Sequence, residues 1–121
     1  MYKIQNRVML SRYRGRTKCS DCQGKRLRKE ADYVKINNKS VLDLVDMSIE
    51  KNLKFFNELS LSESDTKKSK RIVDEIVSRL TFLRDVGLSY LTLNRKSNTL
   101  SGGETQRINL ATSLGLSLIH I

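Results

Sequence analysis

Leu100-Ser101-Gly102-Gly103-Glu104-Thr105-Gln106-Arg107 decides how this chain is read. Its physics is that of an anion site at a helix start. Ser101 puts a hydroxyl at a cap position, and Gly102 and Gly103 let backbone approach a ligand with no Cβ in the way. The helix that follows, expected to bury Ile108, Ala111 and Leu114, aims unpaired N–H groups and its positive dipole end at the same point. Such a tip can grip a terminal phosphate. Ser-Gly-Gly alone is usual in a loop before a helix; Leu in front and Glu-x-Gln-Arg behind make the pattern specific.

Outward from that stretch the chain reads as α+β and mainly helical. Ile72, Ile76, Leu80 and Leu83, flanked by Val73, Val77 and Val86, form the strongest apolar stripe at helical spacing, and Gly87 ends it as a left-handed cap. Tyr90, Leu91 and Leu93 then lead into a polar loop over 94–99. Ser48 is a good N-cap for a helix to about Leu59 that buries Ile49, Leu53, Phe56 and Leu59. Residues 61–70 are polar, a surface connection or a frayed helix start. Ser40 caps a short turn through Val41, Leu42 and Leu44. Tyr33-Val34-Lys35-Ile36 predicts a short strand, ended by a turn at Asn37-Asn38. Tyr2, Ile4, Val8, Leu10 and Tyr13 suggest extended or mixed structure. There is no internal repeat, and the apolar stripes are core by default.

Composition bounds the partners. The chain has 121 residues, 23 Lys and Arg against 13 Asp and Glu, a net charge of +10 and 38% hydrophobic residues, so it is one domain or a piece of one. No run approaches the roughly 18 apolar residues a spanning helix needs, and the start carries no export signal. The expectation is a cytoplasmic protein with no membrane partner. The charge is segregated: residues 1–29 hold ten basic residues and one acid, +9 of the total, whereas the remainder is nearly neutral. The chain thus divides into a basic, cysteine-bearing arm (1–30) and a balanced body (31–115). The arm's excess points to a polyanion, most simply nucleic acid. Arg12, Arg14, Arg16, Lys18 and Arg26 are the candidate phosphate contacts; the alternative for Arg12, Arg14 and Arg16 is a solvated strand face.

Cys19-Ser20-Asp21-Cys22 is a CxxC followed by Gln23-Gly24-Lys25-Arg26-Leu27. Two thiolates at this spacing in a tight turn can share one Zn²⁺, with Gly24 relieving the backbone after the second ligand. A closed site needs four ligands, so the chain holds at most half of one. A redox pair would want a buried strand in front, which Arg14-Gly15-Arg16-Thr17-Lys18 is not. Inert thiols remain the third reading.

Together these stretches carry a resemblance. Leu100–Arg107 is similar to the signature motif of ATP-binding-cassette ATPases. Cys19-x-x-Cys22-x-Gly24-x-Arg26-Leu27-x-x-Glu30-Ala31, then Gly87-Leu88-Ser89-Tyr90-Leu91-Thr92-Leu93, the signature and Leu110-Ala111-Thr112, resemble the UvrA family. These are the damage-recognising ATPase subunits of bacterial excinuclease ABC. The resemblance runs from the first residues to about Gly115. It implies the first of two signature domains with a zinc-module arm, cut before Walker B. No GxxxxGK[ST] and no acidic Walker B strand is present, so ATP binding or hydrolysis by this stretch alone is not expected. Ser101, Gly102, Gly103 and Glu104 would then close on ATP, with its Mg²⁺, held by the opposite cassette. Cys19 and Cys22 would be one arm of a zinc site completed by cysteines upstream of residue 1. Gln106 and Arg107 would brace the signature helix. The implied partners are double-stranded DNA, UvrB, a second UvrA copy and the remaining domains of the same chain. Alternatives are a stand-alone zinc-dependent nucleic-acid module or the signature part of another cassette ATPase. Leu116-Ser117-Leu118-Ile119-His120-Ile121 depart from the family, where an apolar strand ending in Asp-Glu is expected. They match a translated transposon adapter used in sequencing libraries, so they are expected to be non-native, and His120 is discounted as a ligand.

Overall fold

Serine hydroxyls and one glycine set the ends of the main helices. The computed structural model describes the backbone of residues 2–119 and the side chains of 3–115. The helices are α1 (Tyr2–Arg12), α2 (Val41–Asp46), α3 (Ile49–Asn57), α4 (Glu63–Asp85) and α5 (Gly102–Ile119), with 3₁₀ turns at Lys29–Asp32 and Ser97–Thr99. His120, discounted above as a ligand, lies outside the described residues.

Ser40 starts α2 through a reciprocal capping box with Asp43, and its hydroxyl also donates to Asp32 Oδ1 at 2.6 Å. Ser48 and Ser62 cap α3 and α4, each side chain accepting a backbone N–H three residues on. Gly87 closes α4 at φ +86°, a conformation an L side chain adopts only with strain. The chain then turns back over the start of α3. There the Ile49 N–H donates to Leu91 O at 2.8 Å and the Glu50 N–H to Ser89 O at 3.0 Å. These are first-turn donors that a helix cannot satisfy by itself.

The core forms where α4 lies against α3 and α5. Ile49, Leu53, Leu80, Leu88 and Leu91 are buried at its centre, and Phe56, Ile76, Val77, Leu83, Val86, Leu100 and Ile108 pack around them. Each fully buried aliphatic side chain contributes about 1.5–3 kcal/mol. Asn52 is 1% exposed and holds the α2–α3 junction. Its amide donates to the carbonyls of Leu44, Met47 and Ser48 at 2.9, 3.1 and 3.1 Å.

The helical class is as expected, and among the described residues β structure is confined to two isolated bridges, Ile36–Lys39 and Ser48–Thr92. Several local expectations need correction. The opening residues form α1, not extended structure: Lys3, Gln5, Arg7, Met9 and Leu10 are good helix formers and no Gly or Pro interrupts them. Arg12 therefore ends a helix, and Arg14 and Arg16 follow it outside any strand. The strand at Tyr33–Ile36 reduces to the bridge at Ile36, because no neighbouring segment pairs with it. The turn after it is correct: Asn37 and Asn38 sit at φ +47° and +65°, the pair of positive values a two-residue hairpin turn needs. Residues 63–70 belong to α4, started by Ser62. Ile72 and Leu114, assigned to core, are 63% and 43% exposed.

Candidate functional site

Two features are candidates for chemistry: the tip of α5 and the cysteine turn of the arm. At the tip, the Glu104 N–H donates to Ser101 Oγ at 3.1 Å, and the Ser101 N–H donates to Glu104 Oε2 at 3.1 Å. This is a second capping box, closed from both sides. The Tyr90 hydroxyl donates to Glu104 Oε1 at 2.7 Å. Arg95 brings Nη2 to 3.9 Å from Glu104 Oε2. The Tyr90 hydroxyl and the Ser101 N–H hold the Glu104 carboxyl below the usual carboxylate range. The same bond to Glu104 pushes the Tyr90 phenol up. Glu104 is thus turned inward, toward its own chain.

Gly102 and Gly103 are exposed, and nothing lies within 4 Å of where a Cβ would stand on either. Neither has a positive φ, so neither the backbone angle nor the packing of this chain demands glycine there. A Cβ on Gly87 would stand 3.5 Å from Arg107 Nη1, so the Arg107 guanidinium lies beside the end of α4.

In the arm, the Gln23 N–H donates to Cys19 O at 2.8 Å and the Lys25 N–H to Cys22 O at 2.9 Å. Gln23 and Gly24 take φ +49° and +85°, so the turn doubles back after Cys22. Both cysteines are free thiols; Cys19 is exposed and Cys22 half-buried. The N–H groups of Cys22 and Asp21, with the Cys22 side chain, lower the Cys19 thiol from its ordinary value. That favours the thiolate a soft metal binds. Two thiols supply half of a tetrahedral set. Among the described residues, no group of three or more His, Cys, Asp or Glu side chains gathers around a metal position.

The candidate phosphate contacts separate into two kinds. Arg12, Arg14, Arg16 and Lys18 are exposed and enter none of the ion pairs among the described residues. Arg26 is engaged: its Nη2 donates to both Asn94 O and Asn94 Oδ1 at 2.8 Å. Arg26 thereby docks the arm on the body. Sequence reasoning missed Tyr90, Asn94 and Arg95 as parts of the site. The partners of Tyr90 and Asn94 lie 14 and 68 positions away, and no local pattern announces such pairs.

No protein-family model matches the chain. The chain is 48% identical over 115 residues to UvrABC system protein A of Staphylococcus aureus (strain MRSA252), covering 95% of this chain and 12% of that relative. The protein of the same name from Staphylococcus epidermidis (strain ATCC 12228) matches at the same 48% over 115 residues. Among solved structures, UvrA2 from Deinococcus radiodurans superposes with a TM-score of 0.62 at 34% identity, covering 79% of this chain and 10% of that one. The chain thus spans about one eighth of the length of the curated relatives it matches. Across those residues, in sequence and in fold, the chain belongs to the UvrABC system protein A family, as a segment bearing its signature helix.

Proposed function

We propose that this segment works in the damage-recognising ATPase of bacterial nucleotide excision repair, as the signature element that closes on ATP bound by the opposite cassette. One observation carries the reading. Gly102 and Gly103 stand at an exposed helix tip with open space where their Cβ atoms would be. Glycine is a poorer helix former than alanine, and neither backbone angle nor packing among the described residues calls for it at either position. A ligand arriving from outside, close against the backbone, would.

In that reading the first-turn N–H groups and the dipole of α5 face the terminal phosphate of a Mg²⁺-bound ATP. Ser101 contributes both its cap and its hydroxyl proton. Glu104 acts from behind, keeping the tip formed while Tyr90 and Arg95 hold its carboxylate. The arm contributes sequence-independent attraction to double-stranded DNA through Arg12, Arg14, Arg16 and Lys18, with Arg26 retained at Asn94. Cys19 and Cys22 would hold one side of a Zn²⁺, which when bound cross-links the arm to its missing half. Work in the cytoplasm, pairing with a second UvrA copy and loading of UvrB belong to the same proposal.

The test uses a chimera in which this chain replaces the matched 115 residues of the Staphylococcus aureus relative. Gly102→Asp would put a carboxylate at the tip where the phosphate is proposed to sit, from a position with open space around its Cβ. ATP turnover is expected to fall about a hundredfold or more, as on losing preorganised contacts to a charged reacting group. Unchanged turnover and ATP cooperativity would overturn the signature role.

A further inference from the structure

The segment from Tyr90 to Arg95 is fastened on two sides. Toward the tip, Tyr90 donates to Glu104 at 2.7 Å, and Arg95 donates to Thr99 Oγ1 and Thr99 O at 3.0 Å each while facing Glu104. Toward the arm, Arg26 grips Asn94 through the backbone and side-chain oxygens together. Asn94 is fixed in turn: its N–H donates to Val45 O and its Nδ2 to Asp46 Oδ1, both at 3.0 Å. The amide therefore turns its nitrogen to a carboxylate and its oxygen to the guanidinium.

Arg26 stands four residues after Cys22 at φ +63°, in a left-handed conformation that persists only where its surroundings hold it. It directly follows the turn that the main-chain bonds to Cys19 O and Cys22 O close. The Asn94 carbonyl it grips belongs to the peptide whose nitrogen is that of Arg95. The grip on Asn94 thus lies one peptide away from a residue that faces Glu104 at the tip of α5.

We propose that Tyr90 and Arg95 are positioning residues for the α5 tip, and that their segment passes the state of the cysteine turn to that tip through Arg26 and Asn94. The inference rests on the signature reading for its meaning but not for its test. If Tyr90 releases Glu104, the carboxylate regains its rotamers, the Ser101 N–H loses its acceptor and the first turn of α5 frays.

Hydrogen exchange on the chimera reads this directly. Tyr90→Phe and Arg26→Ala are each expected to speed exchange over 98–108 about fivefold, the effect of one lost hydrogen bond. Exchange in α3 is expected to stay unchanged. Among the described residues Arg26 makes no hydrogen bond or ion pair to 98–108, so a purely local role would alter only the arm and the neighbourhood of Asn94, and that result would overturn the transmission. Unaltered 98–108 in Tyr90→Phe would overturn the positioning role. If Arg26→Ala loosens α3 as well, Arg26→Lys, which keeps the charge but not the paired donation, is read against the same two outcomes. Failure here alongside turnover lost in Gly102→Asp rejects the strap alone; normal turnover in Gly102→Asp rejects the signature reading whatever the exchange shows.

Discussion

At position 104 a single carboxylate accepts from a phenol and from a backbone N–H while a guanidinium stands nearby, and the cap of α5 depends on that arrangement. Because these partners favour the ionised form, folding lowers the Glu104 pKa. Its contribution is complete above the ordinary glutamate range and disappears as the pH falls through the lowered folded value. Tyr90 is raised, so its bond is complete below the ordinary tyrosine range and is lost only as the pH climbs past the folded value. Opening of the first turn of α5, followed by hydrogen exchange corrected for intrinsic rates, is therefore expected to increase as the pH falls below the ordinary glutamate range. Glu104→Gln should flatten that acid limb. An equally steep limb in the variant would remove Glu104 from the cap.

Among the elements, the ends of helices were the legible part of the sequence. Ser40, Ser48, Gly87 and Ser101 all stand where residue type alone predicts a cap or a stop, since capping is decided within four residues. What did not read locally was decided by tertiary partners. The stretch Tyr33–Ile36 needs a neighbouring strand and has none among the described residues, and α1, whose described side chains are exposed, offers no apolar stripe to read. Capping strength should scale with what else the serine holds. Ser40→Ala strips the Asp43 cap and leaves the half-buried Asp32 without this donor, whereas Ser62→Ala loses an exposed cap. The expected local destabilisation is about 2 kcal/mol for the first and about 1 kcal/mol for the second, by hydrogen exchange of the two helices. Equal values would mean that the Asp32 contact contributes nothing.

At the scale of the whole molecule, charge and packing divide differently. The net charge lies almost entirely in the first 29 residues, and among the described residues the Arg26 guanidinium links that arm to the body at Asn94. The signature and the cysteine pair were legible as motifs; their linkage through Arg26, Asn94 and Arg95 was not, because it is written in contacts between distant segments. The cysteine turn supplies two thiols with Cys19 already biased toward thiolate. In the chimera, Cys19→Ala with Cys22→Ala is expected to lose one zinc per chain by metal analysis, and unchanged metal content would reject the ligand assignment.

The central claim is that the tip of α5 meets a terminal phosphate bound elsewhere. An ATP analogue with a photoreactive group on its γ-phosphate, irradiated on the chimera and followed by peptide mapping, tests that contact without relying on turnover. The account predicts label on the peptide spanning 101–107, lost in Gly102→Asp. Label confined to other parts of the protein, with 101–107 unmodified under conditions that support hydrolysis, would contradict it.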